Sequence, residues 1–382
     1  MKVGILYPRS KAYPGMTLDF IDGIKTFLKK QDLTDKLQLF SESVGYAGSE
    51  KEVYEKTEKL LILDNVDILV AYIDEKVTGI LEPLVQANSK LMLIVNPGAN
   101  YPENWIAQPN IIHLTLQDAF LCWLCGQQAE RQKDNSGLLA TDFYDCGYLH
   151  VATMVSGYVK SGGGIVYNYI NKQTVNEAFN INELTDYLNN ETAARTLLCV
   201  FDSQPASRFY DSLNNFKGAD QLHLSVSPMM LQPPALDKLA HGFKFSINGY
   251  QSWMASGETA ANADFTGIYF SQTKRHPGLF ALLGWETAMI LEQVFTTGID
   301  YREGEKIAGI LAGTTINGPR GEMKLDPQTN YYTAPFVKCS IQCNSNKIET
   351  ETTAFPMQEW KTYIQQPTDG ASSGWINTYL CY

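Results

Sequence analysis

Apolar positions along this chain fall into two alternating kinds of run. Short, almost unbroken apolar runs read as strands covered on both faces. Longer stretches, with apolar residues three or four apart, read as helices with one buried face. "KVGILY" (Lys2 to Tyr7), "KLQLF" (Lys36 to Phe40), "VDILVAY" (Val66 to Tyr72), "LMLIV" (Leu91 to Val95) and "NIIHL" (Asn110 to Leu114) are of the first kind. Between them, Phe20, Ile21, Ile24, Phe27 and Leu28 mark one helical face. "SEKEVYEKTEKLLIL" (Ser49 to Leu63) is a helix opened by a Ser cap and an acidic first turn. "VTGILEPLVQA" (Val77 to Ala87) reads as helical despite Pro83.

The pattern then restarts. "FLCWLCGQQA" is an apolar helix. "SGLLAT" (Ser136 to Thr141), "GIVYNY" (Gly164 to Tyr169), "TLLCVF" (Thr196 to Phe201) and "QLHLSV" (Gln221 to Val226) are strands. Helices lie between them over 147–162, 182–190 and 205–215. "GFKFSI" (Gly242 to Ile247) is strand-like, and 278–298 is a long apolar helix stopped by Gly298. A short helix, "EKIAGILAG", and a hairpin around Asp326-Pro327 follow. The stretch from Glu349 to Tyr382 is polar and aromatic without a clear period. Strand-helix alternation, twice over, predicts an α/β protein with two doubly wound parallel sheets. Right-handed crossovers place helices on both faces.

Composition narrows function by exclusion. A chain of 382 residues, 44% hydrophobic and 19% charged, is globular and long enough for two or three domains. A net charge of -11 argues against nucleic acid, which rewards Lys/Arg patches. No apolar run reads as a membrane span and no leader peptide is visible, so the sequence reads either as cytoplasmic or as a secreted chain whose leader has been removed.

Catalytic motifs are missing. The five histidines are scattered, and no P-loop, G-x-S-x-G or H-E-x-x-H occurs. Ser161-Gly-Gly-Gly164 precedes a strand, so it reads as a helix stop and not a phosphate cradle. Cys122-Trp-Leu-Cys125 sits in an apolar helix and reads as buried thiols. No catalytic residue, metal or cofactor is expected.

In open α/β sheets, ligands sit beyond the carboxyl ends of the strands. Four polar loops occupy that place: "PRSKAYPG" after the first strand, "IDEKVT" after the third, "NPGANYP" after the fourth, and "DFYDCG" after Ser136 to Thr141.

The order of these pieces resembles the type I periplasmic binding proteins, in particular the Leu/Ile/Val-binding and branched-chain amino acid receptor group. "VGILYPRSKAYPGMTLDFIDGIKTFL", with Gly23 inside its helix, is similar to that family's opening. "VDILVAYIDEKVTGILEPLVQANSKLMLIVNPGANYPE" resembles its third and fourth strands and the family's Ser-Pro-Gly-Ala-Thr-like turn. "LLATDFYDCGYLHV" resembles the start of the second lobe, and "INGPRGEMKLDPQTNYY" the hairpin near the family's end. The likeness covers roughly Lys2 to Gln342.

The resemblance implies two doubly wound lobes joined by a three-strand hinge, with crossings near His113 to Asp118, Phe245 to Tyr250 and Ile316 to Gly321. The lobes would be residues 1–115 with 248–318, and 116–247 with 319–382. Such proteins trap a small polar ligand by hinge closure and hand it to an ABC transporter permease. A periplasmic location is implied, with the leader read as removed. The implied ligand contacts are Arg9 and Tyr13 in the first loop, Asp74 and Glu75 in the second, and Asn96, Ala99 and Asn100 in the third. Asp142, Tyr144, Cys146 and Gln204 would be the contacts of the second lobe.

The chain departs from the family at several of these positions. "IDEK" replaces a Ser/Thr-rich loop, so a ligand carboxylate would meet Asp74 and Glu75 unless Lys76 or Arg9 compensates. Cys146 stands where the family has Tyr, and "SPMMLQPP" lacks the acidic ammonium partner. The implied ligand is an amino acid or related compound. A cationic or hydroxyl-rich one suits the acidic loop. An alternative role is a ligand-sensing domain acting on a regulatory or signalling partner.

Overall fold

The computed structural model describes every position except 47–48, 103, 130–134, 144–148, 174–176, 178, 191–192, 237–241, 367–378 and 380–382. The chain begins with β1 (Lys2–Tyr7), α1 (Met16–Lys30), β2 (Gln38–Ser43), α2 (Glu50–Glu58), β3 (Ile68–Tyr72), α3 (Glu82–Ala87), β4 (Leu91–Asn96) and β5 (Ile111–Thr115). It continues through α4 (Asp118–Gln128), β6 (Ser136–Asp142), α5 (Leu149–Lys160), β7 (Gly164–Asn171), α6 (Asn182–Leu188) and β8 (Thr196–Val200). Next come α7 (Ser203–Asn214), β9 (His223–Val226), α8 (Pro233–Leu236) and β10 (Ser246–Gln251). Then follow α9 (Ala260–Thr273), α10 (Leu279–Thr296), α11 (Gly304–Ala312), β11 (Thr315–Gly318), β12 (Gly321–Leu325) and β13 (Tyr332–Thr333). The described chain closes with β14 (Phe336–Ile341), β15 (Glu349–Thr353) and α12 (Met357–Ile364).

Described residues within Met1–Leu116, Trp253–Pro335 and Tyr379–Tyr382 form unit 1, and those within Gln117–Ser252 and Phe336–Thr378 form unit 2. Unit 1 holds a five-stranded parallel sheet, β2-β1-β3-β4-β5, and a small antiparallel sheet, β11-β12-β13. Unit 2 holds a seven-stranded sheet, β15-β14-β10-β9-β8-β6-β7. Its stretch from β10 to β7 is parallel, and β14 and β15 add antiparallel strands at one side. Read from β7, this parallel part repeats the strand order of unit 1. Each sheet therefore has its topological switch at the unit's first strand, β1 or β6.

The buried runs Ile68–Tyr72 and Leu91–Asn96 are covered at every residue, as unbroken apolar strands require. Helix α10 is long and apolar enough to cross a membrane by length and composition alone, contrary to the expectation of no such run. Most of it is buried inside the unit, where it is a core helix.

Several elements differ from the sequence reading. The helix expected over 77–87 is a single tight turn at Glu75–Val77 and then α3, with Pro83 in its first turn. Proline is tolerated there because its missing N–H has no helical partner in any case. The strand expected at Gly242 begins at Ser246, where pairing with β9 starts. Helix α9 was not anticipated; its buried face rests on Asn262, Phe265 and Tyr269, and Asn262 breaks the apolar stripe. The aperiodic tail contains β15 and α12.

The chain passes between units at Leu116/Gln117, Ser252/Trp253 and Pro335/Phe336, against expected breaks after 115, 247 and 318, and unit 1 takes up the chain again at Tyr379. The third lies later because β12 pairs with β13, and Tyr331 bridges to His113 of the larger sheet. The hairpin expected at the crossing thus sits inside unit 1.

Candidate functional site

In unit 1 the carboxyl ends of β3 and β4 carry the two acidic and amide-rich loops. Asp74 is 2% exposed; one carboxylate oxygen accepts the Lys76 backbone N–H at 3.0 Å and the other accepts Asn100 Nδ2 at 2.8 Å. Glu75, 3% exposed, turns inward. Its Oε1 accepts Asn96 Nδ2 at 3.0 Å and His113 Nδ1–H at 3.2 Å, and the Tyr331 hydroxyl faces the same carboxylate. Burial pushes Glu75 up, but His113, Asn96 and Tyr331 together outweigh it and hold the group below its ordinary value. The His113 ring lies flat on Tyr331, with centroids 4.1 Å apart.

Asn96 ties this network to the turn that follows it. Its Nδ2 also donates to the Ile73 carbonyl at 3.1 Å, and its Oδ1 accepts the Gly98 N–H at 2.8 Å. Gly98 adopts a φ of 77°, which the sharp turn needs and glycine supplies without strain. The Asn96–Asn100 turn is therefore locked to the preceding loop twice, through Asn96 to Glu75 and through Asn100 to Asp74. Ala99 is buried at 2% exposure, and Asn100 is half-buried. Beyond the turn, Tyr101 meets Trp105 edge-on at 5.9 Å, and Trp105 meets Tyr331 at 5.2 Å.

This geometry changes the meaning of "IDEK". Amides, a histidine and a phenol satisfy the two carboxylates, beside the backbone N–H of Lys76. Arg9 is exposed, and its backbone N–H donates to the Gly45 carbonyl. Tyr13 is half-buried, with its ring 5.4 Å from Phe280 and 5.3 Å from Tyr379.

In unit 2, Asp142 ends β6 and accepts Asn171 Nδ2, from the end of β7, at 2.9 Å. Gln204 is exposed in the first turn of α7. Tyr144 and Cys146, and Asp145 beside them, lie outside the described residues. The structure thus brings Asp74, Glu75, Asn96, Ala99 and Asn100 together in one unit, while Arg9 and Tyr13 belong to a separate loop of that unit.

Sequence reasoning missed a set of hydroxyls. In unit 1, Thr78 follows β3 and Thr115 ends β5; in unit 2, Thr141 lies near the end of β6, Ser227 follows β9 and Ser252 follows β10. All are buried, and among the described residues no protein atom partners their hydroxyl oxygens. An unsatisfied buried hydroxyl costs about 1–3 kcal/mol, so each site calls for a polar ligand atom or water. Their position at strand carboxyl ends was the available signal.

Other buried groups carry no such signal. Cys122 and Cys125 are buried, and burial raises both thiols, Cys125 to about 12, as inert core residues require. A hollow of about 590 Å³ lined by Ser89, Asn110 and Arg302 lies at the amino ends of β4 and β5, opposite the candidate loops.

A family model described as periplasmic binding protein matches residues 1–337. No curated protein sequence matches. Among solved structures, the chain is similar to a solute-binding protein of an ABC transporter from R. palustris in complex with benzoate. Identity is 17%, TM-score 0.66, and the match covers 93% of this chain and 95% of that one. A second, from Rhodopseudomonas palustris HaA2 in complex with p-hydroxybenzoic acid, has 15% identity and TM-score 0.70 over 96% of this chain and 100% of that one. The branched-chain amino acid transporter substrate-binding protein of Streptococcus pneumoniae, in complex with isoleucine, has 13% identity and TM-score 0.67 over 93% and 99%. At these identities the likeness establishes the two-lobed α/β fold.

Proposed function

The chain belongs to the periplasmic binding protein family, and from that premise we propose that it traps a small polar solute by hinge closure of its two units and delivers it to an ABC transporter permease in the periplasm. The observation that carries this reading is the doubly locked Asn96–Asn100 turn at the carboxyl edge of the unit 1 sheet. The turn holds the Asn100 amide and the backbone around Ala99 in fixed positions, as a preorganised wall must. An amide both donates and accepts, so it suits an amphoteric head group such as that of an amino acid. Asp74 and Glu75 act as the scaffold of this wall. Tyr13 and Arg9 in unit 1, and Asp142, Tyr144, Cys146 and Gln204 in unit 2, supply the remaining contacts. Unpartnered hydroxyls at the strand ends add capacity for polar groups.

A second ligand class is favoured by one observation. Tyr101, Trp105 and Tyr331 form a continuous aromatic run beside Asn100. Such faces stack well on a planar ring, and two of the similar structures hold benzoates.

A thermal-shift panel of isoleucine, 4-hydroxybenzoate and spermidine separates these readings. A ligand at about 100 times its Kd stabilises the protein by about 2.7 kcal/mol. A shift with isoleucine supports the amino acid reading, and a shift with 4-hydroxybenzoate alone supports the aromatic one. A shift with spermidine alone would restore Asp74 and Glu75 as direct contacts. Conversion of any bound compound to product would overturn the binding role.

A further inference from the structure

Strands β11 and β12 are joined by a two-residue turn, Pro319-Arg320, between the paired Gly318 and Gly321. Hairpin tips usually face water, yet Arg320 is only 7% exposed. Its guanidinium is drawn inward by Glu286 of α10, which is fully buried. Arg320 Nε donates to Glu286 Oε1 at 3.0 Å and Oε2 at 3.1 Å, and Nη2 donates to Oε2 at 2.6 Å. The remaining arm, Nη1, donates to the Thr115 carbonyl at 3.1 Å. Thr115 ends β5, one residue before the first segment of unit 1 ends at Leu116. The next residue, Gln117, has a φ of 58°, a left-handed conformation that is unfavourable for a side chain of this kind.

The same turn reaches the other two crossings. On the second, Trp253 Nε1 donates to Asn262 Oδ1 at 2.6 Å, and Asn262 Nδ2 holds the carbonyls of Met254, Ala255 and Gly257. Asn262 N–H is capped by Thr259, whose hydroxyl donates to the Pro319 carbonyl at 3.5 Å. On the third, Pro335 is the last residue of its segment of unit 1, and a Cβ on Gly321 would lie 3.2 Å from its Cγ. A turn of four residues therefore touches the chain beside every passage out of unit 1 through residues 1–335.

We propose that the Gly318–Gly321 turn, with Arg320 as its positioning residue, is the seat from which the hinge works: it fixes the unit 1 side of these three crossings as one rigid body, so that bending is confined to the residues just beyond. The idea rests on the hinge-closure reading above. A planar guanidinium is suited to the task because it holds a carboxylate with two arms and leaves one for a carbonyl.

Hydrogen–deuterium exchange on the ligand-free protein tests this, so failure of the ligand panel leaves the result intact. The informative variant is Arg320→Met with Glu286→Leu. Replacing both members of a buried ion pair by apolar groups of similar volume is often neutral for stability, whereas removing one strands a charge. The expected result is exchange faster by on the order of tenfold at the amides flanking 116/117, 252/253 and 335/336, with protection of β1 and β3 unchanged. Unaltered exchange at the crossings overturns the proposal. So does a uniform rise throughout unit 1, which is what a merely structural pair would give. Should the double variant fail to fold, Arg320→Lys keeps the charge beside Glu286 but cannot hold carboxylate and Thr115 carbonyl together. Faster exchange at the crossings supports the seat, and wild-type exchange there overturns it.

Discussion

In unit 1, helices α1 and α10 meet where Gly23 and Gly284 leave room; a Cβ at Gly284 would stand 2.0 Å from the Phe20 carbonyl oxygen. In unit 2, α4 and α5 meet at Gly126 and Gly157, where a Cβ would stand 2.0 Å from the Met154 oxygen and 2.1 Å from the Trp123 oxygen respectively. Strand order repeats as well. What differs is how each unit buries an ionisable group. Unit 1 buries Glu75 against His113, Asn96 and Tyr331, and the carboxylate stays ionised. Unit 2 buries His150 at the start of α5, and burial alone pulls it down to about 4, so the ring stays neutral. Shared backbone topology therefore does not dictate shared electrostatics. A buried charge with partners becomes a framework for the adjacent turn, while a buried neutral base becomes a liability in acid.

The comparison breaks most visibly at Glu75. Glu75→Ala leaves Asn96, His113 and Tyr331 without their common acceptor, and loss of one member of such a buried network costs about 3–5 kcal/mol. Hydrogen exchange should report the loss in unit 1, with unit 2 unaffected. Equal loss in both units would remove Glu75 from its assigned role.

Acid should then separate the units in the opposite order. His150 has a folded value of about 4 against 6.5 for the free side chain, so above pH 6.5 it is neutral in both states. Between those values the unfolded chain takes up a proton that the folded chain refuses, and unit 2 loses up to about 3 kcal/mol. Glu75 has a lowered folded value, so its contribution persists down to its unfolded value of 4.5 and is lost as pH falls through the folded one. A pH series of exchange protection should show unit 2 weakening first. His150→Leu should flatten that slope; an unchanged slope would assign the acid sensitivity to another group.

The shared device should fail alike in both units. Gly284→Ala and Gly157→Ala each force a methyl group against a neighbouring carbonyl, and overpacking of this kind costs about 1–3 kcal/mol. Chemical denaturation with a unit-resolved probe should show each variant weakening its own unit. Tolerance at one site and loss at the other would mean that the two helix pairs only look alike.

Much of this fold is readable from the chain because buried parallel strands are written as unbroken apolar runs. Val66–Tyr72 and Leu91–Val95 declare themselves, and so does the family-like order of loops. The third crossing was harder to place, since β13 is two residues long and its pairing is set by contacts with Leu325 and Lys324 that no local pattern reveals. The acidic loop was legible as acidic but not as satisfied. Its partners Asn96, His113 and Tyr331 lie 21 and 38 residues away in the first two cases, and much further in the third. The register of β3, β4 and β5 brings the first two together, and the bridge to His113 brings Tyr331. The hydroxyls of Ser227 and Ser252 gave only the signal of their place after a strand, which a serine in any loop can share.

The proposed function rests on ligand contacts by Asn100 and by Asp142, and its most direct test is calorimetric. The compound with the largest thermal shift should be titrated into the wild type, Asn100→Ala and Asp142→Ala. Loss of a hydrogen bond to a polar ligand costs about 1–2 kcal/mol, so each variant should weaken binding roughly tenfold. Wild-type affinity in either variant, with its fold intact, would contradict the account.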